Sequence, residues 1–386
     1  MASVEVESAN AVTIENEKFE TVVEEPELPA TVTIPEPSAK PTYTPSITNA
    51  DAQVDYEGWD AAIVAAISAL PESDRKSRSQ QFLGKYPTAL KEFRTIIAQT
   101  EMPWPLHSFQ RHPTYLLRYL LAEWRDEELK EFRTDLALIM SKSLDRVIVS
   151  QKWRSGEDEC WARFGYKTMD EMYEKFRHPA DKEDEIYKWF FQGFYGVDKA
   201  GYPVHYELPP DTYREEWMTA LIMRRLLNNE KTLRERTLQF NPSPEGGATP
   251  EQLANPRIGV TWVLDARRIG LFVMPAVYKT MTGLIAYSNR YASAHYPEQG
   301  YRAFVVNLGS VLVSIYNVAI KIMPAQTQRT TTCYGGREIL DEVIGEAQIP
   351  EMFQKGKGKK LDSLNEEEVR KQREEGNAAP WVEFEA

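Results

Sequence analysis

The histidines, cysteines and acidic residues of this chain do not follow the spacings that metal binding or nucleophilic catalysis requires. None of the five histidines forms an HxH or HExxH pair, and neither cysteine lies in a CxxC motif. A GxSxG nucleophile turn and a GxxxxGK[ST] phosphate loop are also missing from the sequence. We therefore predict no metal site, no catalytic site and no enzymatic activity.

Asp265 is the acidic residue whose position comes nearest to that of a catalytic carboxylate. It ends the strand-like run VTWVLD and is followed by Arg267 and Arg268, which favours a structural ion pair or a helix cap over catalysis. His107 and His112 lie five residues apart among prolines, and we expect both at the surface.

One basic cluster, KGKGKK, interrupts this acidic chain. It contains Lys355, Lys357, Lys359 and Lys360. Near an anionic membrane each lysine contributes about 1 kcal/mol of attraction, so the cluster is a candidate membrane contact. The alternative is a solvated tail. The net charge of −12 and the lack of interleaved aromatic residues argue against a nucleic-acid partner.

The first 55 residues are strongly acidic, with eleven Asp or Glu residues against two lysines and with six prolines. Their apolar residues follow no sustained period, so this arm cannot bury enough surface to offset the entropy of ordering. We predict a disordered acidic arm. It either keeps the chain in solution or lies along a protein partner as an extended segment.

No segment is typical of a secretion signal, an Arg-rich transit peptide or a membrane span of about 18 apolar residues. Two cysteines, Cys160 and Cys333, are too few for a disulfide framework. We expect a location in the cytoplasm or peripheral on a membrane. Import into an organelle by an internal signal stays open.

Helical patterns dominate residues 56–155. Apolar residues recur at helical spacing in residues 59–70 and again from residue 115 to 124, and helices are also predicted over 79–99 and 130–153. This part of the chain is therefore predicted to be an α-helical N-terminal region.

From residue 156 to 354, short apolar runs alternate with helical stretches at 212–235 and 274–292. That alternation indicates an α/β lobe with a mostly parallel sheet. The polar, Pro- and Gly-rich residues 241–256 predict a loop, and residues 355–386 a charged tail.

Five collinear segments carry a resemblance to a known family. They are LLRYLLAEWRDEELKEF from residue 116, the DKAG turn at 198–201, VLDARRIG at 263–270, YPEQGYRAFVVNLG at 296–309 and IPEMF at 349–353. Together, from about residue 115 to residue 353, they resemble the CRAL-TRIO (Sec14-like) lipid-binding domain. The resemblance implies a sheet that floors an apolar cavity and a helix, here residues 310–322, that acts as its gate.

The resemblance also implies which side chains would meet the ligand. These are Phe194, His205, Val260, Trp262, Glu298, Gln299, Tyr316 and Arg329. Two basic positions of the phosphoinositide-binding members are lost, because Glu123 and Gln299 stand there. Binding of an inositol phosphate in the usual mode is therefore not expected. The phosphatidylcholine pattern is eroded as well, with Val260 and Trp262 at positions of small hydroxyl residues.

The predicted gate helix is apolar around most of its circumference. Val311, Ile315, Val318 and Ile322 are its candidate gating residues. Such a helix is either an ordinary core helix or one that faces lipid.

Two functions remain open. The first is a non-enzymatic carrier of one lipid or isoprenoid-type hydrophobic molecule, with no cofactor, that meets membrane surfaces transiently and protein partners through its terminal arms. The alternative is a structural or assembly subunit that uses the same fold as a protein-binding scaffold with a degenerate lipid site. Trp262, which is bulky enough to fill part of a cavity, fits both.

Overall fold

The computed structural model describes residues 54–102, 106–124, 135–157, 161, 164–176, 183–270, 273–287, 295–322, 328, 330–350 and 353–354. These residues fall within one unit, Thr44–Ala386. Residues 1–53 of the predicted acidic arm, Arg329 and the KGKGKK cluster lie outside the described residues.

Eight helices precede the sheet in the described part of the chain, and the predicted α-helical N-terminal region is confirmed. They are α1 (Tyr56–Ser68), α2 (Arg78–Lys85), α3 (Ala89–Gln99), α4 (Ser108–Arg111), α5 (Pro113–Glu123), α6 (Leu136–Ser155), α7 (Met169–Lys175) and α8 (Glu183–Trp189). Large apolar side chains from these helices, among them Phe82, Phe93, Leu120 and Trp153, form one buried core.

Local capping explains where two of these helices begin. Ser77 and Gln80 form a reciprocal capping box at the start of α2. The carboxylate of Asp135 accepts a hydrogen bond from the Ala137 amide, so α6 begins at Leu136. Residues 130–134 of the predicted helix lie outside the described residues.

The single helix predicted over residues 79–99 is wrong. The structure has two helices there, separated at Pro87. Proline lacks an amide donor and disfavours a helical conformation at the residue before it, so Tyr86 ends α2 in a non-helical conformation.

In the part of the chain that the structure describes, five strands form one mixed sheet in the order β1-β2-β3-β4-β5. They are β1 (Phe191–Val197), β2 (Pro203–Leu208), β3 (Val260–Asp265), β4 (Gly300–Val306) and β5 (Thr331–Cys333). The predicted mostly parallel sheet is confirmed, because the pairs β2–β3, β3–β4 and β4–β5 are parallel, whereas β1 and β2 pair antiparallel. β1 has no counterpart among the predicted strands.

The turn between β1 and β2 is built by the DKAG segment. Asp198 accepts hydrogen bonds from the amides of Ala200 and Tyr202, both at 2.9 Å, and from the Thr261 hydroxyl at 2.7 Å. Gly201 has a φ of +82°, which a glycine adopts without strain. The turn thereby fixes the hairpin against the neighbouring strand β3.

Six more helices follow β2 among the described residues. They are α9 (Glu215–Lys231), α10 (Thr237–Phe240), α11 (Pro250–Ala254), α12 (Met274–Tyr287), α13 (Ser310–Ala319) and α14 (Glu338–Val343). A π-helical turn, Thr232–Arg236, joins α9 to α10. The short helix α11 lies inside the predicted loop 241–256, where Thr249 and Gln252 form a capping box. No described helix combines the length and the apolar character that crossing a bilayer requires.

The two faces of the sheet differ in chemistry. One face is an apolar core that packs against residues from α14 onward; it contains Val204, Tyr206, Val263, Phe304, Val306, Leu340 and Phe353. Successive side chains of a strand point to opposite faces. The register therefore places Gln192, Phe194, His205, Glu207, Trp262, Leu264, Ala303, Val305, Thr331 and Cys333 on the other face, which we name the gate-side face.

Candidate ligand-binding site on the gate-side face

The gate helix occupies the position that the sequence predicts. α13 covers Ser310–Ala319 and continues as a 3₁₀ turn over Ile320–Ile322. Its inner side contributes Leu312, Val313 and Tyr316 to an apolar cluster with Leu264, Val305 and Cys333 of the gate-side face. One stripe of the gate helix therefore packs directly on the sheet.

The outer side of the gate helix carries an exposed apolar stripe. Val311 is 57% exposed, Ile315 56% and Val318 69%. These residues are spaced four and three apart, so they lie on one side of the helix. An ordinary core helix would be buried on all sides, so that alternative is wrong for α13. The side chain of Ile322 lies outside the described residues.

An aromatic row crosses the gate-side face. Phe194, His205 and Trp262 are register partners on β1, β2 and β3. The Phe194 and His205 ring centroids are 4.6 Å apart, and those of His205 and Trp262 are 4.3 Å apart. Three of the side chains that the resemblance singles out are thus brought together. Val260 is fully buried at the start of β3.

A second row, one pleat further along the strands, changes from polar to apolar. It runs through Gln192, Glu207, Leu264, Val305 and Cys333. The gate helix covers its apolar half. Its polar half lies next to α9, whose Arg225 forms an ion pair with Glu207. The same face therefore offers an apolar surface beneath the gate and hydrogen-bonding groups beside it.

The ion pair between Glu207 and Arg225 is largely shielded from water. Burial raises the pKa of Glu207, and the charge of Arg225 opposes that shift. The Nδ1 atom of His205 lies 3.4 Å from the same carboxylate. The guanidinium of Arg225 also stands 5.0 Å above the Trp262 ring, within the range of a cation–π contact. Arg225 is thus fixed by two residues of the gate-side face.

Gln192 is a buried polar residue of this face whose side-chain amide lacks hydrogen bonds. It is 1% exposed, yet neither its amide oxygen nor its amide nitrogen has a hydrogen-bond partner in the described part of the protein. Its backbone carbonyl does accept a bond of 2.9 Å from Arg224. A buried amide without partners costs free energy and calls for an explanation.

Sequence reasoning missed Gln192, Glu207 and Arg225. The alternation that places His205 on the gate-side face also places Glu207 there, so Glu207 had a usable signal. Gln192 required recognition of β1, and no pattern in the sequence marks Arg225.

Two residues that the resemblance implies as ligand contacts have protein partners instead. Glu298 forms an ion pair with Arg78 of α2 at 2.6 Å. Gln299 donates a hydrogen bond to the side chain of Asn229 on α9. Glu123, which replaces a basic family position, is paired with Arg146 at 2.7 Å. Each of these three side chains therefore forms a contact within the protein that links it to another helix.

Tyr316 is half-buried on the inner side of the gate helix, in the cluster with Cys333. Its hydroxyl has no hydrogen-bond partner in the described ranges, and burial raises its pKa. The remaining predicted residues, Arg329 and the four lysines of the KGKGKK cluster, lie outside the described residues.

The predicted surface position is wrong for His112, which is 1% exposed. Its Nε2 lies 3.2 Å from the carbonyl oxygen of Asn241 and its Nδ1 accepts a bond from the Thr114 amide, so the ring is held as the neutral Nε2–H tautomer. Burial lowers the pKa of His112 to about 3. Its partner Asn241 is 129 residues away, which is why local sequence did not reveal this contact.

Asp265 has the structural role that its neighbours predict. It pairs with Arg267 and accepts a 3.0 Å hydrogen bond from the side-chain amide of Asn307. Over the described ranges, His, Cys, Asp and Glu side chains nowhere gather in a group of three that could hold a metal ion.

Comparison with protein-family models gives a match that covers this site. Residues 188–354 match the model of the CRAL/TRIO domain, a range that includes all five strands and the gate helix. Two curated relatives from Arabidopsis thaliana are the phosphatidylinositol/phosphatidylcholine transfer proteins SFH12 and SFH13. SFH12 is 26% identical over 237 residues, which is 61% of this chain and 41% of that protein. SFH13 is 25% identical over 227 residues, or 58% and 34%.

The matches therefore span about two fifths or less of the length of these two relatives. Among solved structures, one titled "Crystal structure of Sfh5" is 16% identical and has a TM-score of 0.36, covering 56% of this chain and 64% of that one.

Proposed function

We propose that the protein is a non-enzymatic carrier of one hydrophobic ligand, on the premise that residues 188–354 match the model of the CRAL/TRIO domain. The ligand would lie between the gate-side face and the gate helix. The observation that carries the proposal is the division of this helix into an inner stripe on the sheet and an outer apolar stripe, Val311, Ile315 and Val318, in water. Two relatives are named as phospholipid transfer proteins, which supports lipid as the class of cargo.

The exposed apolar side chains of the outer stripe would favour contact between the gate helix and a membrane. Fully burying a valine or isoleucine side chain is worth about 1.5–3 kcal/mol, so three exposed ones favour contact with the apolar part of a bilayer. That contact would draw the gate helix away from Leu264 and Val305 and open the gate-side face. The ligand would then exchange, and release of the membrane would close the site again.

The polar groups favour a cargo other than an inositol phospholipid. At the two basic family positions, Glu123 is held by Arg146 and Gln299 by Asn229. An acidic group and an amide attract a phosphate much less than arginines do. Apolar chains supply affinity by themselves, since each methylene moved out of water contributes about 0.8 kcal/mol. We therefore favour a more apolar, isoprenoid-type lipid.

The KGKGKK cluster adds a second proposed contact with the membrane. Lys355, Lys357, Lys359 and Lys360 would bind anionic headgroups, and vesicle binding should then weaken as salt is raised. Replacing all four by glutamine should remove that salt dependence. A solvated tail would leave vesicle binding unchanged.

Native mass spectrometry of the full chain purified from its own cells tests the carrier, when it is followed by lipid extraction. We expect a single hydrophobic adduct that reappears in the extract. A clean ligand-free mass, together with no uptake from labelled vesicles, would refute the carrier and favour the scaffold.

A further inference from the structure

The ligand's polar end can be placed from the row that crosses the gate-side face. Leu264 and Val305 line the apolar half of this row beneath the gate helix. Gln192 and Glu207, which are cross-strand partners on β1 and β2, form its polar half. A molecule lying along the row with its apolar body under the gate would bring its polar end to Gln192.

The chemistry of that polar end follows from the hydrogen-bond partners that the Gln192 side chain lacks. Both its Nε2 and its Oε1 are buried without a partner in the residues that the structure describes. An amide nitrogen donates and an amide oxygen accepts, so one group that both accepts and donates satisfies the two atoms together. A hydroxyl group does this. A carboxylate or phosphate only accepts, and would leave Oε1 unpaired.

The charged side chains near Gln192 also favour an uncharged ligand group. The carboxylate of Glu207, 3% exposed, already has Arg225 as its partner. Arg224 is engaged as well, because it donates to the Gln192 carbonyl oxygen. An anionic headgroup would therefore have to displace an existing contact before it gained a cation as its partner, which is unfavourable in a site shielded from water. An uncharged group has no such cost.

We propose that Gln192 is a specificity-determining residue that selects a lipid with an uncharged hydroxyl group, a long-chain or ring alcohol, by donating one hydrogen bond to that hydroxyl and accepting one from it. This inference rests on the proposed carrier function. Glu207 and Arg225 shape the pocket as a neutral pair, and Trp262 packs beside them.

The test compares three probes that share one chain: 1-hexadecanol, its methyl ether and palmitate at pH 7. Each is offered as a radiolabelled compound in phosphatidylcholine vesicles to the full chain, and loading is measured after the vesicles are removed. The ether accepts a hydrogen bond but cannot donate one. We expect the alcohol to load about 10-fold better than the ether, and better than palmitate.

Two variants locate the discrimination. Gln192→Met keeps a similar length without polar atoms, and should reduce the preference for the alcohol over the ether to about 1-fold. Gln110→Met is the matched control. Gln110 is also fully buried, but its side chain forms hydrogen bonds with the Tyr115 hydroxyl and with the His107 amide in the N-terminal helical region. That variant should keep the 10-fold preference. Gln192→Leu serves as a second variant, and thermal unfolding confirms that each one folds.

Three results would overturn the inference. Equal loading of alcohol and ether by the unchanged protein would mean that Gln192 is satisfied by a buried water. A preference that survives in Gln192→Met would place the selecting group elsewhere. In both cases the carrier function stands. If no probe and no phospholipid loads at all, the carrier function itself fails and the inference fails with it.

Discussion

The guanidinium of Arg78 lies 2.6 Å from the carboxylate of Glu298, and this ion pair joins α2 of the helical region to the turn that leads into β4. Arg78 also donates to the carbonyl oxygens of Leu121 and Trp124, each at 2.9 Å. Glu298 has a φ of 54°, an uncommon value for a residue other than glycine. Glu298, the acidic residue of the YPEQ segment, therefore connects the helical region to the lobe.

Replacing Arg78 by methionine should destabilise the fold. The change removes one ion-pair partner of Glu298 and a shared donor of two carbonyl groups, and we expect a loss of about 1–2 kcal/mol after allowing for the partial exposure of Arg78. Urea unfolding measures it. The control is Lys142→Met, whose pair with Asp145 is exposed at both ends; it should change stability by less than about 0.5 kcal/mol. Equal effects of the two variants would show that the Arg78 pair contributes no more than a surface pair.

Val318→Asp should abolish ligand transfer between vesicles while leaving the fold intact. Val318 is 69% exposed, so a charge there stays in water in the free protein and opposes only contact with the membrane. Transfer of a fluorescent lipid between donor and acceptor vesicles measures the effect, and urea unfolding should show a change below about 0.5 kcal/mol.

Val149→Asp is the matched control for the gate. Val149 is 52% exposed on α6 of the helical region, and its replacement should leave transfer unchanged. If both variants transferred lipid at the rate of the unchanged protein, the outer stripe would have no role at the membrane.

Arg225→Met should cost about 3 kcal/mol of stability at neutral pH, because it leaves the buried carboxylate of Glu207 without its ion-pair partner. Adding Glu207→Gln removes that charge, so the double variant should recover part of the loss. A double-mutant cycle of urea unfolding isolates the pair. Strictly additive losses would argue that the two side chains do not interact across the sheet.

The stability of the protein should fall as pH is lowered from about 6.5. Burial, together with nearby arginines, lowers the pKa values of His112 and His295 to about 3; the arginines are Arg94 and Arg118 for His112, and Arg154 and Arg146 for His295. An unfolded histidine has a pKa near 6.5, so the unfolded chain takes up protons first as pH falls. Each ring therefore contributes stability that is complete above about pH 6.5 and is lost progressively towards pH 3.

For each of the two histidines the loss approaches about 1.4 kcal/mol per pH unit below pH 6. Urea unfolding at pH 6 and pH 5 compares the unchanged protein with His112→Gln and His295→Gln. Each variant should lose about 1.2 kcal/mol less over that unit. A variant whose stability falls as steeply as that of the unchanged protein would show that its histidine does not titrate in this way.

The local elements of this protein could be predicted from its sequence. The box formed by Ser77 and Gln80, the alternation in β3 and the apolar run of the gate helix all act within a few residues, so their signals survive in the linear chain. The collinear motifs were sufficient to predict the mostly parallel sheet and the CRAL-TRIO resemblance. Even the break at Pro87, which our prediction overlooked, has a local cause.

Tertiary packing alone decided the composition of the candidate site. Glu298 meets Arg78 across 220 residues, His112 meets Asn241 across 129, and Gln192 joins Glu207 through the pairing of β1 with β2. Which stripe of the gate helix is exposed depends likewise on where the sheet lies. Such contacts depend on how distant elements pack, and a hydrophobic pattern does not encode which polar side chain will face which.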